Sequence, residues 1–97
     1  MPRVLVIYDI SVNGVRERFA NYLKAMGLNR IQRSAFIGKV SSQTLKDIER
    51  VARRIINPKT DIVHIFPLSA YEYTHMKVLG KPLTVMEALG ERVAVIA

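Results

Sequence analysis

The sequence predicts an α+β fold in which two helices cover one face of a mainly antiparallel sheet. Three features lead to this prediction: a buried N-terminal strand, two amphipathic helices each followed by a strand, and further short elements toward the C-terminus. The 97 residues suffice for one hydrophobic core, and no linker or internal repeat divides them. We therefore expect a single domain over residues 1–97, with its core in residues 1–80 and a C-terminal extension in residues 81–97.

The first strand and the first helix have the clearest patterns. RVLVIYDI, at residues 3–10, is a nearly continuous apolar run rich in β-branched residues, as expected of a central strand. The spacing of the following apolar residues predicts a helix over residues 14–26, and Gly27 is suited to end it in a left-handed conformation. The apolar face of this helix consists of Val15, Phe19, Tyr22, Leu23 and Met26.

RIQRSAFIG, at residues 30–38, alternates along its length and predicts one strand with two mixed faces. Because neither face is wholly apolar, we expect one of them to meet a ligand or a partner. A sandwich of this kind normally has a hairpin between its helices, yet no turn residue precedes Gly38. One face carries Ile31, Arg33, Ala35 and Ile37, and the other carries Arg30, Gln32, Ser34 and Phe36.

A second helix follows, with Ser41 or Ser42 as its N-cap, and it is ended by Asn57-Pro58 after Ile56. Its apolar positions recur at helical spacing and predict one buried face. They are Leu45, Ile48, Val51, Ala52, Ile55 and Ile56.

The remaining segments complete a ferredoxin-like sandwich. Residues 61–68 predict a buried strand, with His64 in the core and Pro67 at the strand end or at a sheet edge. Weaker patterns predict a strand or short helical turn over residues 71–78, one helical turn over residues 84–89, and a terminal strand over residues 91–96 with no visible partner.

Positive charge is concentrated in the first part of the chain. The net charge is +7, and residues 1–59 alone carry 12 Lys and Arg against four acidic residues. A basic segment of this kind favours a nucleic-acid partner, because Lys and Arg release condensed counterions when they meet a phosphate backbone. The alternative is that these charges are only solvated, as in a protein from a hot or salty habitat. The lack of cysteine, and of any apolar run of about 20 residues, predicts a cytoplasmic protein without a membrane span.

Asp9 is the candidate catalytic residue and metal ligand. A carboxylate that ends an apolar strand must emerge at the rim of the sheet or be paired, because burying an unpaired charge is costly. Two interpretations stay open: Asp9 serves a functional site, or it caps the turn that follows the strand. One carboxylate by itself does not hold a hydrolytic Mg²⁺, so the economical metal site is one in which a two-fold axis brings Asp9 from two subunits together.

Four arginines and one aromatic residue are candidates for binding nucleic acid. Guanidinium groups suit bidentate contacts with phosphate, and an aromatic ring can pack against sugar or base. Neither His64 nor His75 has the spacing of a metal ligand. The candidates are Arg16, Arg18, Arg30, Arg33 and Phe36.

Several of these motifs occur together in a known family. The chain has VIYDI at residues 6–10, then Arg16 and Arg18 opening a helix, then GLNRIQRSAF at residues 27–36. This combination resembles the CRISPR-associated Cas2 family, small proteins of the adaptation stage of prokaryotic antiviral immunity. The similarity continues through residues 62–68.

The resemblance implies a ferredoxin-like homodimer in which the C-terminal strand of each subunit extends the sheet of the other, giving residues 91–96 a partner. It also implies that Asp9 from each chain flanks a divalent metal, Mg²⁺ or another, in members that cleave RNA or DNA. Tyr8 matches a further catalytic position, and Arg16, Arg18, Arg30 and Phe36 match other functional positions. Many members have an acidic residue where this chain has Ile37.

Two functions follow as expectations. The first is a divalent-metal-dependent endonuclease that acts in spacer acquisition. The second is a non-catalytic adaptor that holds duplex DNA and bridges dimers of the Cas1 integrase, the partner that the resemblance implies. A small-molecule regulatory domain of the ACT kind has the same fold class, but it gives no reason for the clustered arginines.

Overall fold

The computed structural model of the protein describes residues 1–81 and the backbone of residues 94–96. It confirms the α+β prediction, because strands and helices alternate in the order of a ferredoxin-like sandwich before three short elements. In chain order the elements are β1 (Arg3–Asp9), α1 (Asn13–Ala25), β2 (Asn29–Gln32), β3 (Ala35–Lys39), α2 (Ser42–Ile55), β4 (Ile62–Leu68), α3 (Ala70–His75), β5 (Lys77–Leu79) and β6 (Ala94–Ile96). Within this part of the chain, no helix is long and apolar enough to cross a membrane.

β1 lies at the centre of the fold. The sheet has the order β2-β3-β1-β4, and β1 is antiparallel to both of its neighbours. Both long helices pack on the same face of the sheet, so every second residue of β1 points into the layer between sheet and helices. The buried core includes Val4, Val6, Tyr8, Ile10, Phe19, Leu23, Leu28, Phe36, Val40, Ile48 and Ala52.

The two long helices begin and end within one residue of the predicted positions, because their end signals are local. Gly27 follows α1 with a φ of 95°, the left-handed conformation that glycine adopts without steric cost. Ser41 is the N-cap of α2, and its Oγ accepts a hydrogen bond from the Thr44 backbone N–H at 3.0 Å. Such a cap stabilises a helix by about 1 kcal/mol.

The prediction of one strand over residues 30–38 is wrong. β2 and β3 form a hairpin with residues 33–34 at its tip, and a register shift between Arg30 and Gln32 leaves Ile31 as an extra residue in β2. Because of this bulge, Arg30 lies on the same face of the sheet as Phe36. A single continuous strand would also place these two residues on one face, so the alternation of the sequence does not reveal the turn. The tip contains neither Gly nor Pro, which explains why no turn signal was visible.

The sheet face opposite the long helices is only half covered. α3 packs over one end of it, where Tyr73 is 1% exposed and contacts Ile37. Beyond α3 the strands carry large apolar side chains that no described element covers. We name this uncovered part the open face; its residues are Ile7, Asp9, Ile62, His64 and Phe66.

The prediction that His64 lies in the core is wrong. Val63 and Ile65 turn toward α2, so the alternation of β4 places His64 and Phe66 on the open face. The two rings stack with centroids 5.7 Å apart and an interplanar angle of 10°. Both faces of β4 carry apolar residues, so its sequence pattern is that of a strand buried on both faces.

The C-terminal elements form a second, two-stranded sheet. The segment predicted as a strand or helical turn over residues 71–78 contains most of α3 and the start of β5. β6 falls within the predicted terminal strand, and it pairs in parallel with β5, with Val78 opposite Val95. This strand therefore has a partner in its own chain. The helical turn predicted over residues 84–89 lies outside the described residues.

Candidate nucleic-acid interface

Asp9 lies at the rim of the sheet with its side chain on the open face. It is the last residue of β1 and is exposed, whereas Tyr8 and Ile10 on either side of it are buried. Its ladder partner is Ile62 on β4, since pairing with β3 ends two residues earlier, at Ile7. Within residues 1–81 no hydrogen bond or ion pair engages the carboxylate. The group is thus available to a cation or to a partner.

Asp61, not Asp9, caps the turn after β1. The Ser11 backbone N–H and Oγ donate to Asp61 Oδ1 at 3.1 and 2.8 Å, and Thr60 Oγ1 donates to the same oxygen at 3.0 Å. The Asn57 backbone N–H donates to Oδ2 at 2.9 Å. The hydrogen bonds from Asn57 and Ser11 lower the pKa of Asp61 from its ordinary 3.8 to about 2. The interpretation of Asp9 as the turn cap is therefore wrong, and Asp61 was missed from the sequence.

Arg16 braces the same turn from the helix side. Its Nη1 donates to the Ile10 carbonyl oxygen at 2.9 Å, and its Nη2 donates to Asn13 Oδ1. The side chain is half-buried, and these two bonds fix the guanidinium group in place. Arg16 therefore orients the chain after Asp9 as well as contributing positive charge to the surface.

A pocket lined by cations lies between α1 and the β2–β3 hairpin, with a volume of ≈ 410 Å³. Of the predicted arginines, Arg16, Arg30 and Arg33 come together here. Four cations outweigh one acid, so the pocket attracts phosphate groups. We name this the cationic pocket; its polar lining is Asn13, Arg16, Glu17, Asn21, Lys24, Arg30 and Arg33.

Asn21 and Lys24 were missed from the sequence, although the signal was present. Asn13, Glu17, Asn21 and Lys24 recur at spacings of four, four and three residues and therefore share one face of α1. The sequence did not show that β2 and the hairpin tip lie against this face of α1, because the hairpin itself was not predicted.

Phe36 lies beneath Arg30 and not on the surface. The Arg30 Cζ is 5.0 Å from the ring centroid, and Phe36 is 0% exposed. The prediction that this ring contacts a sugar or a base is therefore wrong, because the core and Arg30 enclose it. The Nε of Arg30 is itself buried and has no hydrogen-bond partner among the described residues. Phe36 thus supports Arg30 from below and leaves the outer side of the guanidinium group for a ligand.

The structure does not bring Arg18 to the cationic pocket. Two residues apart on a helix, Arg16 and Arg18 point to different sides of α1. Arg18 lines a separate groove between α1 and α2 with Tyr22 and Val51. The prediction of one joint arginine cluster is wrong in this respect.

Tyr8 belongs to the core. It is 3% exposed, its ring meets Phe19 edge-on at 5.2 Å, and it stacks on Phe36 at 6.3 Å. Its hydroxyl group is buried and has no hydrogen-bond partner among the described residues. Direct contact between this ring and a substrate on the open face would require the core to open.

The described residues of one copy do not form a complete metal site. Among the described residues, no three His, Cys, Asp or Glu side chains come together to hold a metal ion. Asp61 lies at the same rim as Asp9, but its oxygens already accept four hydrogen bonds. His75 lies on α3, and its Nδ1 is 2.9 Å from the Tyr71 carbonyl oxygen, so only its Nε2 could bind a metal. Within the described residues Asp9 therefore lacks the further ligands that a divalent cation needs.

These features define a class of protein, a small ferredoxin-like α+β domain with an exposed carboxylate at the sheet rim and a cationic pocket between α1 and the β2–β3 hairpin. The sequence pattern of the family described as CRISPR associated protein Cas2 matches residues 1–76. The chain belongs to this family, and the resemblance seen in its motifs is thereby confirmed.

Individual relatives agree with the family match. The CRISPR-associated endoribonuclease Cas2 of Korarchaeum cryptofilum is 42% identical over 66 residues, which are 68% of this chain and 71% of the relative. In Thermoproteus tenax a Cas1/Cas2 endonuclease fusion is 45% identical over 60 residues, 61% of this chain and 23% of the fusion.

Solved structures show the same fold. A hypothetical protein from Thermus thermophilus superposes with a TM-score of 0.73 and 31% identity, covering 86% of this chain and 95% of that protein. Cas2 of Streptococcus pyogenes superposes with a TM-score of 0.65 and 26% identity, covering 73% of this chain and 90% of that protein.

Proposed function

We propose that the protein is a divalent-metal-dependent endonuclease that cleaves RNA or DNA phosphodiesters as a homodimer in the cytoplasm. One observation carries the proposal: the carboxylate of Asp9 is exposed on an uncovered apolar face and is unengaged within residues 1–81, while the cationic pocket lies on the helix side of the sheet, beside a hairpin whose tip meets the same end of β1. The names of relatives, which include endoribonucleases and endonucleases, support cleavage as the activity.

A second copy of the chain is the occupant that we propose for the open face. Ile7, Ile62 and Phe66 are 39, 50 and 43% exposed, and clustered apolar exposure of this kind is typical of an interaction surface. A two-fold axis through this face would bring two Asp9 carboxylates together. Their mutual repulsion would favour a cation between them, so that metal and dimer stabilise one another. The same proposal includes exchange of β6, in which β6 would leave β5 of its own chain and extend the sheet of the other subunit.

Mg²⁺ suits this site because it prefers carboxylate and phosphate oxygens as ligands. When bound, such a metal would supply a water of lowered pKa and offset charge on the scissile phosphate. The protein's own contribution is to hold and orient: the paired Asp9 carboxylates keep the metal at the rim. Arg30 and Arg33 bind neighbouring phosphates of the strand, and Arg16 keeps the turn after Asp9 in place.

Cas1 is the protein partner that we propose. Support comes from the Thermoproteus tenax relative, in which the segment similar to this chain is fused to Cas1. Physical linkage in one chain gives two modules a high effective concentration for each other, so fusions commonly join proteins that work together. The protein would then act in the acquisition of new spacers.

Replacement of Asp9 by Asn tests the catalytic proposal. The change keeps the size of the side chain but removes the charge that a divalent metal requires. Cleavage of labelled RNA and of duplex DNA is measured with Mg²⁺ and with EDTA. We expect Asp9→Asn and EDTA each to abolish cleavage.

Asp47→Asn is the matched control, because Asp47 lies on α2 and pairs with Arg50 there. It should cleave like the wild type. Equal cleavage by the wild type and Asp9→Asn would show that Asp9 is not catalytic and that a contaminating nuclease produces the signal.

A non-catalytic DNA-binding adaptor is the second candidate function. It is favoured by the cationic pocket, which needs no metal to bind phosphate, and by the finding that Asp9 has no second acidic ligand beside it among the described residues. It predicts binding to duplex DNA that weakens steeply with salt and survives Asp9→Asn. Binding without cleavage by the wild type would support this candidate against the endonuclease.

A further inference from the structure

Asp61 joins two loops that are distant in sequence. Its carboxylate receives four hydrogen bonds, from the backbone N–H groups of Ser11 and Asn57 and from the hydroxyl groups of Ser11 and Thr60. The Ser11 contact spans 50 positions along the chain. Charge-assisted bonds to an ionised carboxylate are stronger than bonds between neutral groups, so this junction fixes the loop after β1 to the loop before β4.

The joined loops hold the end of β1 on which Asp9 lies. β1 pairs with β3 only as far as Ile7, so the last residue of the strand has a ladder partner on the β4 side alone, namely Ile62. Strand ends with few neighbours open most readily. Asp61 directly precedes Ile62, and Ser11 follows Asp9 by two residues, so the junction closes the ladder just beyond the Asp9–Ile62 pair.

We propose that Asp61 is a positioning residue that fixes Asp9 for metal binding. A catalytic group must be held to within about 0.5 Å of its working position by the residues around it. In a two-fold dimer any displacement of Asp9 occurs in both subunits. The distance between the two carboxylates can therefore change by twice the displacement in one subunit. This inference rests on the proposed nuclease function and names a further residue on which that function depends.

Asp61 is not itself a metal ligand in this proposal. An ionised carboxylate has about four acceptor positions, and four donors already occupy Asp61, three of them on Oδ1. A metal would have to approach Oδ2 and would compete there with the Asn57 N–H that holds the loop before β4. Asp9, which no described residue engages, offers its oxygens without such competition.

The test compares Asp61→Asn with Asp47→Asn by cleavage and by metal binding. In Asp61→Asn an amide NH₂ faces at least one N–H or hydroxyl donor that the carboxylate accepted, and the negative charge is gone, so the junction is weakened without a large change in volume. We expect kcat to fall about ten-fold or more, as for other groups that orient a metal ligand. The KM for RNA should change by less than about two-fold, since the cationic pocket binds the strand.

Binding of Mn²⁺, followed by water-proton relaxation, gives a readout that does not depend on cleavage. The dissociation constant should rise about ten-fold or more in Asp61→Asn and stay unchanged in Asp47→Asn. Ser11→Ala removes one of the four donors and leaves the fold least disturbed; it should shift both quantities in the same direction by a smaller factor. Ser42→Ala, on an exposed serine at the start of α2, is its control.

The possible outcomes separate the two proposals. If Asp61→Asn and Ser11→Ala are folded but bind Mn²⁺ and cleave like their controls, Asp61 is only structural and the positioning proposal is overturned. The same conclusion holds if these variants merely lower the folded fraction. If Asp9→Asn cleaves like the wild type, the nuclease proposal fails instead. A wild type that neither cleaves nor binds Mn²⁺ would overturn both.

Discussion

Tyr8 and Asp9 are consecutive in β1 but lie on opposite faces of the sheet. The ring of Tyr8 is enclosed with Phe19 and Phe36 beneath the helices, whereas the carboxylate of Asp9 is exposed on the open face. The family resemblance pairs the two residues as catalytic positions. The structure shows that Tyr8 packs in the core and that Asp9 is exposed, and we propose a catalytic role for Asp9 alone.

Tyr8→Phe should therefore retain cleavage. The hydroxyl group of Tyr8 is buried without a partner among the described residues, so its removal costs no hydrogen bond there. Leaving a buried polar group unsatisfied costs about 1–3 kcal/mol, and we expect the free energy of unfolding to stay the same or rise. Urea unfolding and the RNA cleavage assay measure the two quantities. A folded Tyr8→Phe that no longer cleaves would restore Tyr8 to the catalytic machinery.

Lys24→Gln and Arg18→Gln each remove one positive charge from α1, but on different faces. Lys24 lines the cationic pocket and Arg18 lines the groove toward α2. We expect Lys24→Gln to weaken binding of duplex DNA and to reduce the slope of log K against log salt by about 1. Arg18→Gln should change the affinity less. Equal losses in both variants would mean that the bound strand extends over both sides of α1.

Phe66→Glu tests the dimer on the open face. A carboxylate at this position would place like charges close together across a two-fold axis and remove an apolar contact, so the variant should be monomeric and inactive. Sedimentation velocity measures the mass, and the cleavage assay measures the activity. Gln43→Glu adds the same single charge on α2, on the other side of the sheet, and should remain dimeric. A dimeric Phe66→Glu would place the subunit contact elsewhere.

Acidification should expose the contribution of Asp61 to stability. Its folded-state pKa of about 2 lies below the ordinary value of 3.8, so the stabilisation is fully present above that ordinary value and is lost as pH falls toward 2. The Ser69 N–H also lowers the pKa of Glu72, but Glu72 is present in both the wild type and Asp61→Asn and so does not affect the difference between them. Between pH 4 and 2 the urea midpoint should therefore fall more in the wild type than in Asp61→Asn. Parallel curves would contradict the assigned pKa.

Local signals explain which parts of the fold were predictable. β1, α1 and α2 carry continuous apolar patterns with caps at Gly27 and Ser41, and the structure has them almost as predicted. The hairpin was not predictable, because the bulge at Ile31 restores the alternation that the turn interrupts. His64 was misplaced because β4 has apolar residues on both faces, and one of those faces lacks a cover in the described chain.

The candidate site shows the same division between local and distant information. Asp9 was found from one strand, since a carboxylate at the end of an apolar run is conspicuous. Asp61 was missed because its partner Ser11 is 50 positions away and no local pattern links the two. Phe36 was assigned to the wrong environment, since alternation gives the face of a residue but not what covers that face.

The alternation of β1 also restricts how this chain can change in length. Insertion or deletion of one residue within Arg3–Asp9 would turn every following side chain to the other face, which would bury the Asp9 carboxylate and expose the Tyr8 ring. Only changes of two residues would keep the carboxylate outside. Length variation among homologous chains that retain the function should therefore be absent from this strand, even where their loops differ freely.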